Sequence, residues 1–192
     1  MHRKSYYIIN AITVYRLLSA FLLLYLIYRD RPDIFKWMIA ISFFTDSIDG
    51  FLARKYHVVS VMGARIDSIA DDMTVLMGII GLFVWKPAFI QQEILLICFL
   101  LILFILQVSL AFLRYGKFSS FHTYFAKTAA LFQGLFLIFA FFLTDMPYLL
   151  FYMAAVITAV DLIEEIILVF VIPEWRANVK GLYWVLKNKK VI

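Results

Sequence analysis

Long apolar stretches separated by short polar segments dominate the chain. Six of them contain few charges, and a helix of about 20 such residues crosses a hydrocarbon core roughly 30 Å thick. The predicted helices run near Tyr7–Tyr28, Ile34–Ala53, Ile66–Trp85, Phe89–Leu113, Thr123–Thr144 and Tyr148–Ile172. We therefore predict an all-α integral membrane fold with six transmembrane helices.

The segment after Pro173 has a different pattern. Aromatic residues such as Trp175, Tyr183 and Trp184 are interspersed with basic residues as far as Lys190. This mixture is typical of a short amphipathic helix at a membrane surface. We predict one membrane domain over residues 1–172 and a basic, amphipathic cytoplasmic tail over residues 173–192.

The composition agrees with a membrane protein, since 65% of the 192 residues are hydrophobic and 16% are charged. The net charge of +5 could indicate nucleic-acid binding, but its distribution indicates topology. With six spans and both termini in the cytoplasm, 14 of the 18 Lys and Arg residues lie on the cytoplasmic side, as the positive-inside rule requires. The outer side keeps Arg29, Arg31, Lys36 and Lys86. We expect the lipid bilayer, and no nucleic acid, as a partner.

Carboxylates occur within the second and third predicted helices. Charged groups are costly in hydrocarbon, so such residues are functional candidates. On a helix, positions 46, 49/50 and 53/54 form one stripe, and positions 63, 67 and 71 form another. Two adjacent antiparallel helices can turn these stripes toward each other. The facing carboxylates would be those of Asp46, Asp49, Asp67 and Asp71.

Four facing carboxylates cannot all stay ionised without compensation. Protonation, pairing with lysine or arginine, or a divalent metal would each provide it. Oxygen-only ligands suit Mg²⁺, Mn²⁺ or Ca²⁺ better than zinc. The small residues Gly50, Ala53 and Gly63 leave room on the same stripes for a flat or bulky group. Singly, such residues are ordinary helix packing.

The full spacing is D-x2-D-G-x2-A-R-x8-G-x3-D-x3-D, which begins at Asp46 and ends at Asp71. A match at a given start position has a chance probability on the order of 10⁻¹⁰ at average residue usage. This spacing resembles the motif of the CDP-alcohol phosphotransferase family. Its eight positions are filled by Asp46, Asp49, Gly50, Ala53, Arg54, Gly63, Asp67 and Asp71.

The resemblance implies a homodimer of the bacterial inner membrane with an active site facing the cytoplasm. It implies a reaction of phospholipid biosynthesis, in which a phosphatidyl group passes from CDP-diacylglycerol to a small polar alcohol and CMP is released. Two Mg²⁺ or Mn²⁺ ions would be held by the four aspartates, and Asp71 would also be the general base. The donor would contact Asp49, Gly50, Ala53, Arg54 and Gly63. Asn10, Thr13 and Arg16, which resemble the N-x2-T-x2-R of bacterial phosphatidylglycerophosphate synthases, would join them.

The acceptor alcohol is less clearly marked. Arg114, Lys117 and Lys127 place three cations near the expected mouth of the site, which favours glycerol 3-phosphate and then inositol phosphate. The same cations would also satisfy the positive-inside rule. Ser68, where phosphatidylglycerophosphate synthases carry proline, is more similar to phosphatidylserine or phosphatidylinositol-phosphate synthases. These activities therefore stay open as alternatives.

The sixth predicted helix carries three acids, Asp161, Glu164 and Glu165. They require protonation, pairing with a cation such as Lys127, or exposure to a polar cavity, and we expect a pairing or cavity-lining role. Two rival functions also remain. One is an enzyme that uses a soluble CDP-alcohol donor and a lipid alcohol acceptor; the other is a divalent-cation transporter, which does not explain the small residues and Arg54 at fixed offsets.

Overall fold

The computed structural model describes residues 15, 18–55, 61–117, 121, 123–176 and 179–189. Within these ranges it describes the backbone but not the side chains of residues 46, 47, 49–55, 61–68, 188 and 189. The helices are α1 (Leu18–Tyr28), α2 (Pro32–Lys55), α3 (Val61–Trp85), α4 (Pro87–Tyr115), α5 (Tyr124–Phe142), α6 (Tyr148–Val171) and α7 (Leu182–Lys189). No β-strand occurs in the described ranges, so the all-α prediction is confirmed there.

The predicted spans correspond to these helices, with ends that differ by a few residues. The largest difference is at α3, which begins at Val61, five residues before the predicted start. Half of the predicted span Tyr7–Tyr28 precedes Leu18, and of that half only Tyr15 is among the described residues. Helices α4 and α5 are long and apolar enough to cross a membrane. Six spans and the cytoplasmic side of the termini stay predictions.

Proline and a left-handed residue mark the helix boundaries of the N-terminal half. Helices α2 and α4 both begin with proline, which is tolerated there because the first N–H groups of a helix have no partner within it. Asp30 has a φ of 50° in the turn between α1 and α2. The carboxylate of Asp30 accepts a hydrogen bond from Trp85 Nε1 at 2.7 Å. This bond ties the turn to the end of α3.

The helices form two compact units, Met1–Ile90 with Leu137–Met146, and Gln91–Phe136 with Pro147–Ile192. An aromatic cluster closes one end of the first unit. Phe35 is fully buried, and its ring makes edge contacts with Trp85 and Phe141, each at 4.9 Å between centroids. These contacts join the start of α2, the end of α3 and the end of α5.

Two glycines allow α3 to approach α2 within the first unit. A Cβ at Gly81 would lie 3.0 Å from the ring atoms of both Phe35 and Phe141. A Cβ at Gly78 would lie 3.1 Å from Ile39, which is also fully buried. Glycine is therefore required for this close approach, in the way that small residues are used between membrane helices.

The second unit has a buried cluster made of Ala111, Phe121, Leu168, Val169 and Ile172. The Tyr115 hydroxyl lies 3.1 Å and 2.8 Å from the carbonyl oxygens of Val169 and Ile172. These carbonyls belong to the C-terminal end of α6, where no intrahelical donor is available. The end of α4 is thus fastened to the end of α6.

We expect Gly81→Val to destabilise the protein although valine is a better helix former than glycine. The added carbons would meet the rings of Phe35 and Phe141, and overpacking of this kind costs ~1–3 kcal/mol. The midpoint of thermal unfolding of the detergent-solubilised protein should fall by several degrees. Ala130→Val, on an exposed position of α5, is the matched control and should leave the midpoint nearly unchanged. An unchanged midpoint for Gly81→Val would show that α3 does not approach α2 this closely.

Candidate active site

The backbone of every motif residue is helical. Asp46, Asp49, Gly50, Ala53 and Arg54 lie in the second half of α2, and Gly63, Asp67 and Asp71 lie in the first half of α3. The side chain of Asp71 is described and is partly buried. The side chains of the other seven, and the whole of Asn10, Thr13 and Arg16, lie outside the described residues.

The motif positions of α2 continue the stripe that touches α3. Phe35 and Ile39 make the contacts with the α3 glycines. Asp46 follows Phe35 by 11 residues and Ile39 by seven, which are about three and two helical turns. Ala53 follows Phe35 by 18 residues, about five turns. The backbone positions of Asp46 and Ala53 are therefore on the face of α2 that is turned toward α3.

The same spacings recur in α3, read in the opposite direction. Asp71 precedes Gly78 by seven residues, Asp67 precedes it by 11, and Gly63 precedes Gly81 by 18. Ala70 and Thr74, between these positions, are buried at 0% and 1% exposure. Asp72 is exposed and lies on a different side of α3.

The contacts between α2 and α3 give an antiparallel register at one end of the pair. Phe35 lies opposite Gly81 and Ile39 lies opposite Gly78. Both helices continue through the whole motif and rise about 1.5 Å per residue. If the helices stay side by side beyond those contacts, the register would bring Asp46 level with Asp71, Gly50 level with Asp67, and Ala53 level with Gly63.

Such an arrangement has a definite chemistry. If the four carboxylates met, they would supply only oxygen ligands, a donor set that fits Mg²⁺ or Mn²⁺. Ala53 and Gly63, two of the small residues, lie in the parts of α2 and α3 nearest the connection between these helices. Among the side chains that the structure describes, no group of three or more His, Cys, Asp or Glu residues could hold a metal. Of the four motif aspartates, only Asp71 has its side chain among those described.

The three acceptor candidates belong to the second unit, and all three are exposed. Arg114 is in the last turn of α4. Lys117 Nζ lies 5.8 Å from the centroid of the Trp175 ring, and Lys127 Nζ lies 5.6 Å from that of Tyr124. Both distances are within the range of cation–π attraction.

The acids of α6 are hydrogen-bonded to neutral donors. Asp161 Oδ1 accepts a bond from the Thr123 hydroxyl at 3.2 Å, and Glu165 Oε2 accepts one from Gln107 Nε2 at 2.7 Å. Glu164 Oε1 accepts a bond from the backbone N–H of Leu182 at 2.9 Å. The sequence suggested pairing with a cation such as Lys127, whereas the donors of these three bonds are all neutral.

The glutamines that bond to polar groups of α6 were not predicted from the sequence. Gln107 lies within the apolar run of α4, and Gln133, in α5, donates to the Thr158 hydroxyl at 2.7 Å. An amide in an otherwise apolar helix needs a hydrogen-bonding partner because none is available in hydrocarbon. Gln107 and Gln133 were therefore a usable signal for contacts with a polar stripe on another helix.

Comparisons with known proteins agree with the motif. The CDP-alcohol phosphatidyltransferase family model matches residues 6–169. The CDP-diacylglycerol–inositol 3-phosphatidyltransferase of Saccharomyces cerevisiae is 36% identical over 66 residues, which are 34% of this chain and 30% of that protein. A cardiolipin synthase (CMP-forming)/mitochondrial hydrolase fusion protein of Schizosaccharomyces pombe is 39% identical over 62 residues, 32% of this chain and 10% of that protein.

Neither curated relative is matched over more than about a third of its length, and no solved structure matches the chain. The family model, in contrast, extends from before α1 to near the end of α6 and includes all eight motif positions. The chain belongs to the CDP-alcohol phosphatidyltransferase family.

Proposed function

We propose that the protein is a metal-dependent enzyme of phospholipid biosynthesis. It transfers a phosphatidyl group from a CDP-linked donor, CDP-diacylglycerol, to the hydroxyl of a small polar alcohol and releases CMP. The observation that carries this proposal is the complete eight-position motif from Asp46 to Asp71 within a chain matched by the family model. The contacts of Phe35 and Ile39 with the α3 glycines support it, because they pair the two helices that carry the motif. Family membership favours this enzyme over a divalent-cation transporter.

The donor pyrophosphate requires charge compensation in a site this rich in carboxylates. Asp46, Asp49, Asp67 and Asp71 would hold two Mg²⁺ or Mn²⁺ ions, which would neutralise the phosphates and stabilise the charge of the departing CMP. Arg54 would contact the donor phosphates with its planar array of N–H groups. Gly50, Ala53 and Gly63 would leave room for the cytidine, and Asn10, Thr13 and Arg16 would complete the donor site.

The reaction is a displacement at the phosphorus distal to cytidine. The acceptor oxygen forms a bond to this phosphorus while the bond to the bridging oxygen breaks, and CMP leaves with that oxygen. Asp71 takes the proton of the acceptor hydroxyl. Because a carboxylate is a weak base at neutral pH, close positioning of the two substrates must supply much of the rate.

We further propose that six helices cross the bilayer, with both termini and the site on the cytoplasmic side, and that two chains form a homodimer. The apolar lengths of α4 and α5 and the uneven distribution of Lys and Arg support the topology. The bacterial inner membrane was expected from the resemblance, whereas both curated relatives are from yeasts. The proposal is therefore an integral membrane enzyme, without restriction to bacteria.

Glycerol 3-phosphate is our first choice of acceptor, with inositol phosphate second. The exposed cations Arg114, Lys117 and Lys127, all in the second unit, support a phosphorylated alcohol. The S. cerevisiae relative is named for transfer to inositol, so unphosphorylated inositol is the main competitor. Release of CMP by the purified protein with CDP-diacylglycerol and each alcohol in turn, with mass spectrometry of the lipid, distinguishes them.

Removal of divalent metal should abolish the activity. Exhaustive chelation followed by dialysis should reduce CMP release to background, and Mg²⁺ or Mn²⁺ should restore it, because the clustered carboxylates cannot bind a pyrophosphate without cations. Calcium and zinc serve as comparison ions. Turnover that persists after chelation would contradict the two-metal site.

Asp71→Asn should lower kcat by ~10²–10⁴-fold, the usual contribution of a general base. The matched control is Asp72→Asn, which makes the same chemical change one residue along α3, on an exposed side. It should retain most of the activity. Equilibrium binding of CDP-diacylglycerol should persist in the Asp71 variant. If that variant kept more than roughly a tenth of the wild-type kcat, Asp71 would not be the base.

Lys127→Ala should raise the KM for glycerol 3-phosphate by about tenfold or more, because a charge-assisted bond to phosphate contributes roughly 1.5–3 kcal/mol. The KM for the donor should hardly change. Lys86→Ala, which removes the same charge between α3 and α4, should alter neither constant. An unchanged acceptor KM in the Lys127 variant would contradict the proposal, and so would equal turnover with unphosphorylated glycerol. Either result would mean that Lys127 contributes to membrane topology and does not bind the acceptor.

A further inference from the structure

Helix α7 is attached to the second unit by one of its sides. Leu182 and Val185 pack against the buried cluster of Ala111, Phe121, Leu168, Val169 and Ile172. Just before the helix, the Val179 N–H donates to the Phe121 carbonyl at 2.7 Å, and the Tyr124 N–H donates to the Lys180 carbonyl at 3.3 Å. The inner side of α7 is thus occupied by its own unit.

The start of α7 is fixed by Glu164. The Glu164 carboxylate accepts the Leu182 N–H at 2.9 Å, and a negative charge at the N-terminus of a helix is favourable. Gly181 has a φ of 144°, and a Cβ there would lie 3.1 Å from Glu164 Oε1. Glycine is required at this turn both for its φ and for the space. Rotation of α7 about its axis is therefore opposed at its first residue.

The opposite side of α7 is exposed and has a mixed chemistry. Tyr183, Leu186 and Lys187 follow one another at helical spacings and are all exposed, with 65% for Tyr183 and 45% for Leu186. We call these three residues the outer face of α7. The exposed side chain of Lys180 precedes the helix, and Trp184, 41% exposed, lies beside the face with its ring 5.2 Å from Tyr124.

We propose that the outer face of α7, together with Lys180, binds the anionic headgroups of a lipid bilayer. Helix α6 has 24 residues and a length of about 36 Å, sufficient to cross a hydrocarbon core of roughly 30 Å. Helix α7 begins eleven residues after α6 ends, so with α6 across the bilayer it would lie at the surface of the same membrane. This step rests on the membrane topology of the proposed function.

The residue types on and beside the outer face of α7 favour a lipid surface over another protein chain as its binding partner. An exposed tyrosine and tryptophan beside an aliphatic residue are typical of the interfacial layer, where rings lie at headgroup depth. Lys180 and Lys187 add two cations that complement an anionic leaflet. A symmetric contact with a second copy would instead bring these cations toward each other. The Glu164 bond orients α7 so that its outer face points away from the buried cluster.

The test follows a fluorescent reporter on α7 in the complete chain. Cys98 is the sole cysteine of the sequence, so Cys98→Ser with Leu186→Cys gives one labelling site for an environment-sensitive dye. The labelled protein is reconstituted in nanodiscs of phosphatidylcholine alone or with about a third phosphatidylglycerol. We expect the emission maximum of the dye to lie at shorter wavelength in the anionic discs than in discs of phosphatidylcholine alone. This difference should diminish with added salt, since screening weakens the attraction between the protein and the charged surface.

Lys180→Gln with Lys187→Gln should reduce the ratio of bound to unbound α7 by up to about thirtyfold, since each charge near an anionic surface contributes roughly fivefold. Arg29→Gln with Arg31→Gln, exposed between α1 and α2, is the matched control and should leave the shift intact. The measurement is repeated with the dye at a second position, Tyr183→Cys. The same result at both positions would show that it does not come from disruption of α7 by Leu186→Cys. Emission that is equal in both kinds of disc, or that changes with the number of chains per disc, would overturn the proposal.

CMP release is measured on the same samples with CDP-diacylglycerol and glycerol 3-phosphate. Lipid-dependent emission without CMP release would contradict the proposed function. It would still support the binding of anionic lipid by the outer face of α7. CMP release without lipid-dependent emission would contradict the α7 surface alone. The two failures are therefore distinguishable.

Discussion

The close packing of α2 against α3 is the contact on which the proposed site depends. Phe35 and Ile39 fill the space above two glycines of α3, and this places the helices at a fixed register near their aromatic end. The register then determines which motif residues lie at the same level. In the proposed site the acids would repel one another, so the arrangement would be unfavourable by itself. The buried apolar contacts beyond it, together with bound cations, would hold the two helices together.

The acids of α6 show a second way to retain carboxylates within an apolar helix. Asp161, Glu164 and Glu165 each accept a hydrogen bond from a neutral group, a threonine hydroxyl, a backbone N–H and a glutamine amide. Hydrogen bonds to a charged acceptor are stronger than bonds between neutral groups. Within the part of the chain that the structure describes, Glu164 Oε2 is buried without such a partner. The motif aspartates differ from these acids, since they recur at fixed spacings together with small residues in two consecutive helices.

Much of the fold was accessible from the sequence because hydrocarbon requires long apolar helices. The helices from Ile34 onward were located within about five residues at each end, and the family was identified from the aspartate spacing. The start of α3 at Val61 was placed too late, because Gly63 and Arg65 interrupt the apolar run without ending the helix. The partners Thr123 and Gln107 were not found, since hydrogen bonds between distant helices leave no periodic pattern. The acceptor likewise has no fixed spacing, so its identity depends on a few scattered cations.

The equal rise of two paired helices has a consequence for how this family can change in length. Eleven residues, about 16 Å of helix, separate Phe35 from Asp46, and ten separate Asp71 from Gly81. One inserted residue in either segment would turn the aspartates by about 100° and shift them by about 1.5 Å against their counterparts. Natural insertions should therefore be excluded from the two helical segments. The motif also fixes eight residues between Arg54 and Gly63, so the connection between the helices is constrained in length as well.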